Sequence, residues 1–160
     1  MRNETEVNRV LDLYSDTVRR ICFMHLKSRS DTEDVFQDVF LKYILSERIF
    51  ESDEHEKAWL IRTAVNRCKD VLKSFFRKKV ISVEELTAEP FYLEENDKEL
   101  LDSVFRLPEK YRDVIYLFYY EGYSAAEIGS ILNKSENTIY TQLSRARKAL
   151  KEQLGGELFE

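Results

Sequence analysis

Trp59, Arg62, Asn66, Lys69 and Lys73 follow one another at spacings of three, four, three and four residues. On a helix that advances 100° per residue they gather, with Arg77, into one stripe about 80° wide. Aromatic faces stack on unpaired bases and neighbouring cations track phosphates, so the stripe has the chemistry of single-stranded nucleic-acid binding. A solvated face with one half-buried Trp shows the same pattern. A second set stands near the C-terminus, where Glu136, Asn137, Tyr140, Thr141 and Ser144 share one helical face flanked by Arg145, Arg147 and Lys148. Asn137 and Thr141, one turn apart, suit base edges in a major groove, and the three cations suit phosphates. Cations close to a helix C-terminus also answer its dipole, which is the plainer reason for them. A third set, Asp34, Gln37, Asp38 and Leu41, forms an acidic face with an apolar centre. It fits a basic partner helix, and a solvated face is its plainer reading.

Other chemistry finds little support. Cys22 and His25 stand as C-x-x-H, but His55 and Cys68 do not repeat that spacing, and both cysteines fall on apolar helical stripes. Reduced core thiols, a core histidine and no metal are expected. The sequence contains no glycine-rich phosphate loop and no nucleophile elbow, so no catalytic residue, cofactor or small-molecule substrate is assigned. No apolar run approaches the ~20 residues of a membrane span and the N-terminus lacks the apolar core of a signal peptide, so no membrane insertion and a cytoplasmic location are expected.

The elements that must position these residues are helices. In 160 residues there are 4 Gly and 2 Pro, few of the turn formers that many short strands require. Val7, Val10, Leu11, Tyr14, Val18, Ile21 and Cys22 give one apolar stripe over 6–26. Ser30 and Glu33 have capping-box spacing before a helix that buries Phe36, Phe40, Tyr43 and Ile44 and runs to about Ser46. After the break "ERIFESDEHE", a third helix starts near His55 and turns Ala58, Ile61, Val65, Cys68, Leu72 and Phe75 inward, opposite the Trp59 stripe.

Charge then divides the chain. The net charge is -5, yet residues 61–80 carry seven Lys or Arg against Asp70, and residues 81–100 carry seven acids against Lys98. Residues 81–97, acidic and containing Pro90, have no sustained period and read as a linker. Beyond it come Leu100, Leu101, Val104 and Phe105, a restart with Pro108 in the first turn, and a stop at Gly122. Ser124 and Glu127 form another capping box, Ile128, Ile131 and Leu132 are buried, and Gly129 permits a close crossing. Asn133 supplies a left-handed turn and Ser135 a cap for a final helix that buries Ile139, Leu143, Ala146 and Leu150. The expected fold is all-α: two small helical modules, 1–80 and 98–160, joined by the acidic linker 81–97, the second ending in a helix-turn-helix.

With these features in order, the chain resembles the bacterial RNA polymerase sigma factors of the extracytoplasmic-function group over roughly residues 5–154. "DTEDVFQDVFLKY" and "AWLIRTAVNRCKDVLKSFFRKK" look like that family's region two, and "LPEKYRDVIYLFYYEGYSAAEIGSILNKSENTIYTQLSRARKAL" like its region four. The resemblance implies a non-catalytic factor that binds core RNA polymerase and directs promoter recognition, DNA opening and transcription initiation. Asp34, Gln37, Asp38 and Leu41 would then grip the clamp helices of the beta-prime subunit. Trp59, Arg62, Asn66, Lys69 and Lys73 would hold the -10 element as a single strand, with a flipped base near Asn66 and the preceding loop. Glu136, Asn137, Tyr140, Thr141, Ser144, Arg145, Arg147 and Lys148 would meet the -35 duplex, with the same module touching the beta flap. Glu84, Glu85, Glu89, Glu94 and Glu95 would thread the RNA exit path, and an anti-sigma factor is a further implied partner. Two rival readings are a stand-alone helix-turn-helix regulator, which would need a dimer to cover two half-sites, and a protein-only adaptor.

Overall fold

The backbone of Asn3 is extended and its side chain accepts the Glu6 N–H at 2.9 Å, answering one of the amides that a helix start leaves open. α1 therefore runs Glu4–Leu26 and ends on Lys27, whose φ of 53° reverses the chain while its N–H bonds the Phe23 carbonyl. A computed structural model of the chain describes residues 1–78 and 98–154, and the expected linker, with Pro90 and its five glutamates, lies outside them.

α2 (Arg29–Leu45) starts at once, and its cap corrects the sequence reading. Ser28, not Ser30, accepts an N–H, that of Asp31 at 3.2 Å. Lys27 has already turned the chain, so Ser28 is the extended residue that faces the open amides and Ser30 falls within the first turn. Glu33, released from the expected capping role, pairs with Arg19 at 2.9 Å. Ser52 caps α3 (Asp53–Lys78) by accepting the His55 N–H, so that helix begins two residues before its expected start near His55.

α1 packs on both α2 and α3, and α2 packs on α3. Val10, Val18, Ile21, Cys22, Val39, Tyr43, Leu60, Ile61 and Ala64 are among the fully enclosed side chains of this bundle. Each fully buried aliphatic side chain of this size stabilises by about 1.5–3 kcal/mol, so the burial pattern fixes how α3 is rotated. With two neighbours to cover, α3 buries a broader arc that reaches Leu60 and Ala64, while Ala58 and Leu72, expected inside, are only half-buried. The side chains of Phe75 and Arg77 lie outside the described residues.

The chain divides into two compact units, Met1–Tyr92 and Leu93–Glu160. In the second, α4 (Lys98–Phe105) is followed by Pro108, which stands just before the first turn as the N-cap of α5 (Glu109–Ile115) and offers its carbonyl to the N–H groups of Tyr111 and Arg112. α5 continues through a π-helical turn, Tyr116–Tyr120, and stops at Gly122, whose φ of 78° is the left-handed conformation expected there. α6 (Ala125–Leu132) and α7 (Glu136–Leu154) complete the unit. α7 packs on α5 and α6, burying Ile139, Leu143, Ala146 and Leu150 against a core that includes Val114, Tyr116 and Ile128. Leu132, also expected inside, is half-buried. Among the described residues no strand occurs, and no helix is long and apolar enough to cross a membrane.

Candidate nucleic-acid interface

The turn that aims α7 is built as its residue types require. Ser124 accepts the Glu127 N–H at 3.1 Å and Glu127 accepts the Ser124 N–H at 2.9 Å, a complete capping box. Asn133 takes the left-handed conformation, φ 57° and ψ 51°. Gly129 sits so close to the turn that a Cβ there would lie 2.6 Å from the Lys134 carbonyl oxygen. Ser135 accepts the Thr138 N–H at 3.1 Å and launches the helix. Residues 124–150 are thus two helices with a break, as a helix-turn-helix demands.

Glu136, Asn137, Tyr140, Thr141, Ser144, Arg145 and Lys148 are all exposed on α7. The Thr141 hydroxyl donates to the Asn137 carbonyl at 3.1 Å, which leaves Thr141 a methyl and an acceptor to offer a base. Arg147 differs from its neighbours. Its Nε donates to the Tyr119 hydroxyl and its guanidinium lies 5.4 Å and 5.5 Å from the Phe118 and Tyr119 ring centres. This arginine is tethered to the π-helical turn, a contact that the spacing on α7 gave no sign of.

In the first unit, Asn66 and Lys73 are exposed and Arg62, Lys69 and Trp59 are half-buried along one side of α3. The Trp59 ring packs edge-on to Phe50 at 5.7 Å and tilted to Tyr43 at 6.2 Å. Trp59, Arg62 and Asn66 line one cleft of about 250 Å³ with Asp38, Arg48 and Arg67. The structure thus brings three of the five stripe residues together with cations from outside the stripe.

The wall of that cleft rests on residues that sequence reading missed. Arg2 donates to the Tyr43 carbonyl at 3.0 Å and to the Arg48 carbonyl, and its guanidinium lies 4.3 Å from the Tyr43 ring centre and 5.3 Å from that of Phe50. One arginine, its side chain only 8% exposed, thereby pins the loop between α2 and α3, in which Ile49 is 93% exposed. Below it, buried Glu56 accepts the Tyr43 hydroxyl at 2.8 Å and Arg9 at 2.7 Å. Burial, reinforced by the Glu56 hydrogen bond, pushes the Tyr43 hydroxyl well above the usual phenol range; the Glu56 hydrogen bond raises the Arg9 guanidinium. No periodicity reveals this network, because each bond links residues far apart in the chain.

Asp34, Gln37, Asp38 and Leu41 are exposed along α2, with Leu41 55% exposed. Asp38 is not free: it accepts Arg67 of α3 at 3.0 Å. Cys22 and Cys68 are buried and not joined in a disulfide, His25 is buried and His55 is exposed.

Comparison with known proteins adds a second line of observation. Residues 10–79 match the family model for sigma-70 region 2, and residues 98–150 match that for sigma-70, region 4. The ECF RNA polymerase sigma factor SigW of Bacillus subtilis is 29% identical, with 91% of this chain and 87% of SigW covered. The RNA polymerase sigma factor SigV of the same organism is 28% identical, with 86% and 84% covered. The sigma factor RpoE of Bartonella quintana, solved with the anti-sigma factor NepR, shares the fold at a TM-score of 0.77 and 23% identity, covering 95% of this chain and 98% of RpoE.

Proposed function

The chain belongs to the sigma-70 family as an RNA polymerase sigma factor of the extracytoplasmic-function group, which binds core polymerase and directs promoter recognition and transcription initiation, and we propose how its own residues divide that work. The segments 1–80 and 98–160 act as separate binding modules and 81–97 as the acidic connection. Asp34, Gln37, Asp38 and Leu41 dock the beta-prime clamp helices, their carboxylates meeting basic groups around the apolar Leu41. Trp59, Arg62, Asn66, Lys69 and Lys73 hold the -10 element as a single strand. Asn137 and Thr141 read -35 base edges, Glu136, Tyr140 and Ser144 border them, and Arg145 and Lys148 meet phosphates. Arg147 contributes from its tether on Tyr119.

Promoter opening in this scheme needs no catalysis by the sigma factor. Stacking and phosphate contacts, about 1–3 kcal/mol for each base on an aromatic ring, offset an unpairing cost of a few kcal/mol. The polymerase performs the chemistry in the cytoplasm. RpoE of Bartonella quintana forms a complex with an anti-sigma factor, and a partner of that kind is proposed for this chain as well.

The observation that carries the reading is that each unit presents its own exposed polar and cationic helix face, α3 in one and α7 in the other. Asp38→Lys tests it against a stand-alone regulator. The sigma reading expects lost association with core polymerase and unchanged binding of the -35 duplex; a regulator that works without polymerase expects no effect of the substitution on its function.

A further inference from the structure

Beside α7, on the flank that carries Arg145, a cleft of about 270 Å³ separates the helix from the start of α5. Lys110 and Tyr111 form one wall; Asn137, Thr141 and Arg145 stand on the other, one turn apart. Lys110 and Arg145 are both exposed, and among the described residues neither meets a carboxylate: the Lys110 ammonium stands 5.2 Å from the Tyr111 ring centre. Two cations that open onto one polar cleft raise the local positive potential and repel one another, and an anion set between them relieves both. The opposite flank contrasts with this, since Arg147 there is already tied to Tyr119.

We infer that this cleft is a phosphate seat, in which Lys110 from α5 and Arg145 from α7 together grip the DNA backbone alongside the -35 element. The inference rests on the proposal that α7 enters the -35 duplex, and extends it to a residue outside the helix-turn-helix. A row of Asn137 and Thr141 lowered towards base edges brings the rim of a groove, where the phosphates run, up to the level of the cleft. The seat carries no base information. Its role is to fix the height and register at which Asn137 meets the bases.

The test uses holoenzyme reconstituted with the full chain and with Lys110→Ala, Lys110→Arg and Asn137→Ala. Each is titrated on promoter duplex over a salt series, then on the same duplex with a single uncharged methylphosphonate moved through the -35 region. Lys110→Ala is expected to weaken binding roughly threefold for every -35 sequence and to reduce the slope of log K against log salt by about 1. At one phosphate the methylphosphonate should weaken wild type more than it weakens Lys110→Ala, in which only Arg145 still meets that phosphate, and Lys110→Arg should restore both responses. An unchanged salt slope, the absence of any such phosphate, or a Lys110→Ala defect confined to polymerase association overturns the seat. If Asn137→Ala still loses base preference in that case, the -35 reading stands without it; if Asn137→Ala too is silent, the reading underneath fails.

Discussion

Among single residues, the same chemical type does different work according to what already holds it. Arg145 is open to solvent, Arg67 is bonded to Asp38 and Arg147 to Tyr119, although all three look alike in the sequence. The Asp38–Arg67 pair is half-exposed, and such pairs contribute about 0.2–1 kcal/mol. Asp38→Ala should therefore leave the melting temperature almost unchanged while weakening polymerase association at least tenfold, as loss of a binding hot spot does; parallel thermal melts and polymerase titrations check this. Glu56 is the opposite case. Glu56→Ala leaves the buried Tyr43 hydroxyl without its acceptor and should cost about 1–3 kcal/mol of stability in urea unfolding. The exposed residues of the candidate interface were legible as helix faces, because spacing alone decides which side chains share a face. Glu56, Arg2 and the tether on Arg147 were not, because their partners come from remote points of the chain and only packing brings them together.

The elements show where local sequence rules suffice and where two rules compete. Ser124 and Glu127 bond reciprocally, and no neighbouring residue offers a rival cap, so that helix start could be read directly. Ser28 and Ser30 each precede an acid by three residues, and the choice between them was made by the left-handed turn at Lys27, which the sequence does not advertise. Ser28→Ala should lower the stability of the first unit by about 1 kcal/mol and Ser30→Ala should change it little, as paired denaturation curves would show. The π-helical turn at Tyr116–Tyr120 likewise has no local signature, whereas the need for a small residue at 129 was legible from the turn that follows. Gly129→Ala places a methyl against the Lys134 carbonyl and should destabilise the second unit by about 1–3 kcal/mol. Duplex binding by holoenzyme should fall with it, because the turn sets the aim of α7.

For the whole molecule, the net charge of -5 says less than its placement. Cations concentrate on α3 and α7, in separate units, while acids gather on α2, over residues 47–56 and in residues 81–97. In the proposed reading, that distribution lets an acidic chain approach DNA through two limited faces, with carboxylates of α2 and residues 81–97 left for a basic protein partner. The central claim is a division of labour, α3 for unpaired strand and α7 for duplex, and its most direct measurement is a double dissociation. Holoenzymes carrying Arg62→Ala with Lys69→Ala, or Asn137→Ala with Arg145→Ala, are titrated on a -10 single-stranded oligonucleotide and on a -35 duplex. The account predicts that the first pair weakens only the single strand and the second pair only the duplex; equal losses on both ligands, or a reversed pattern, would contradict it.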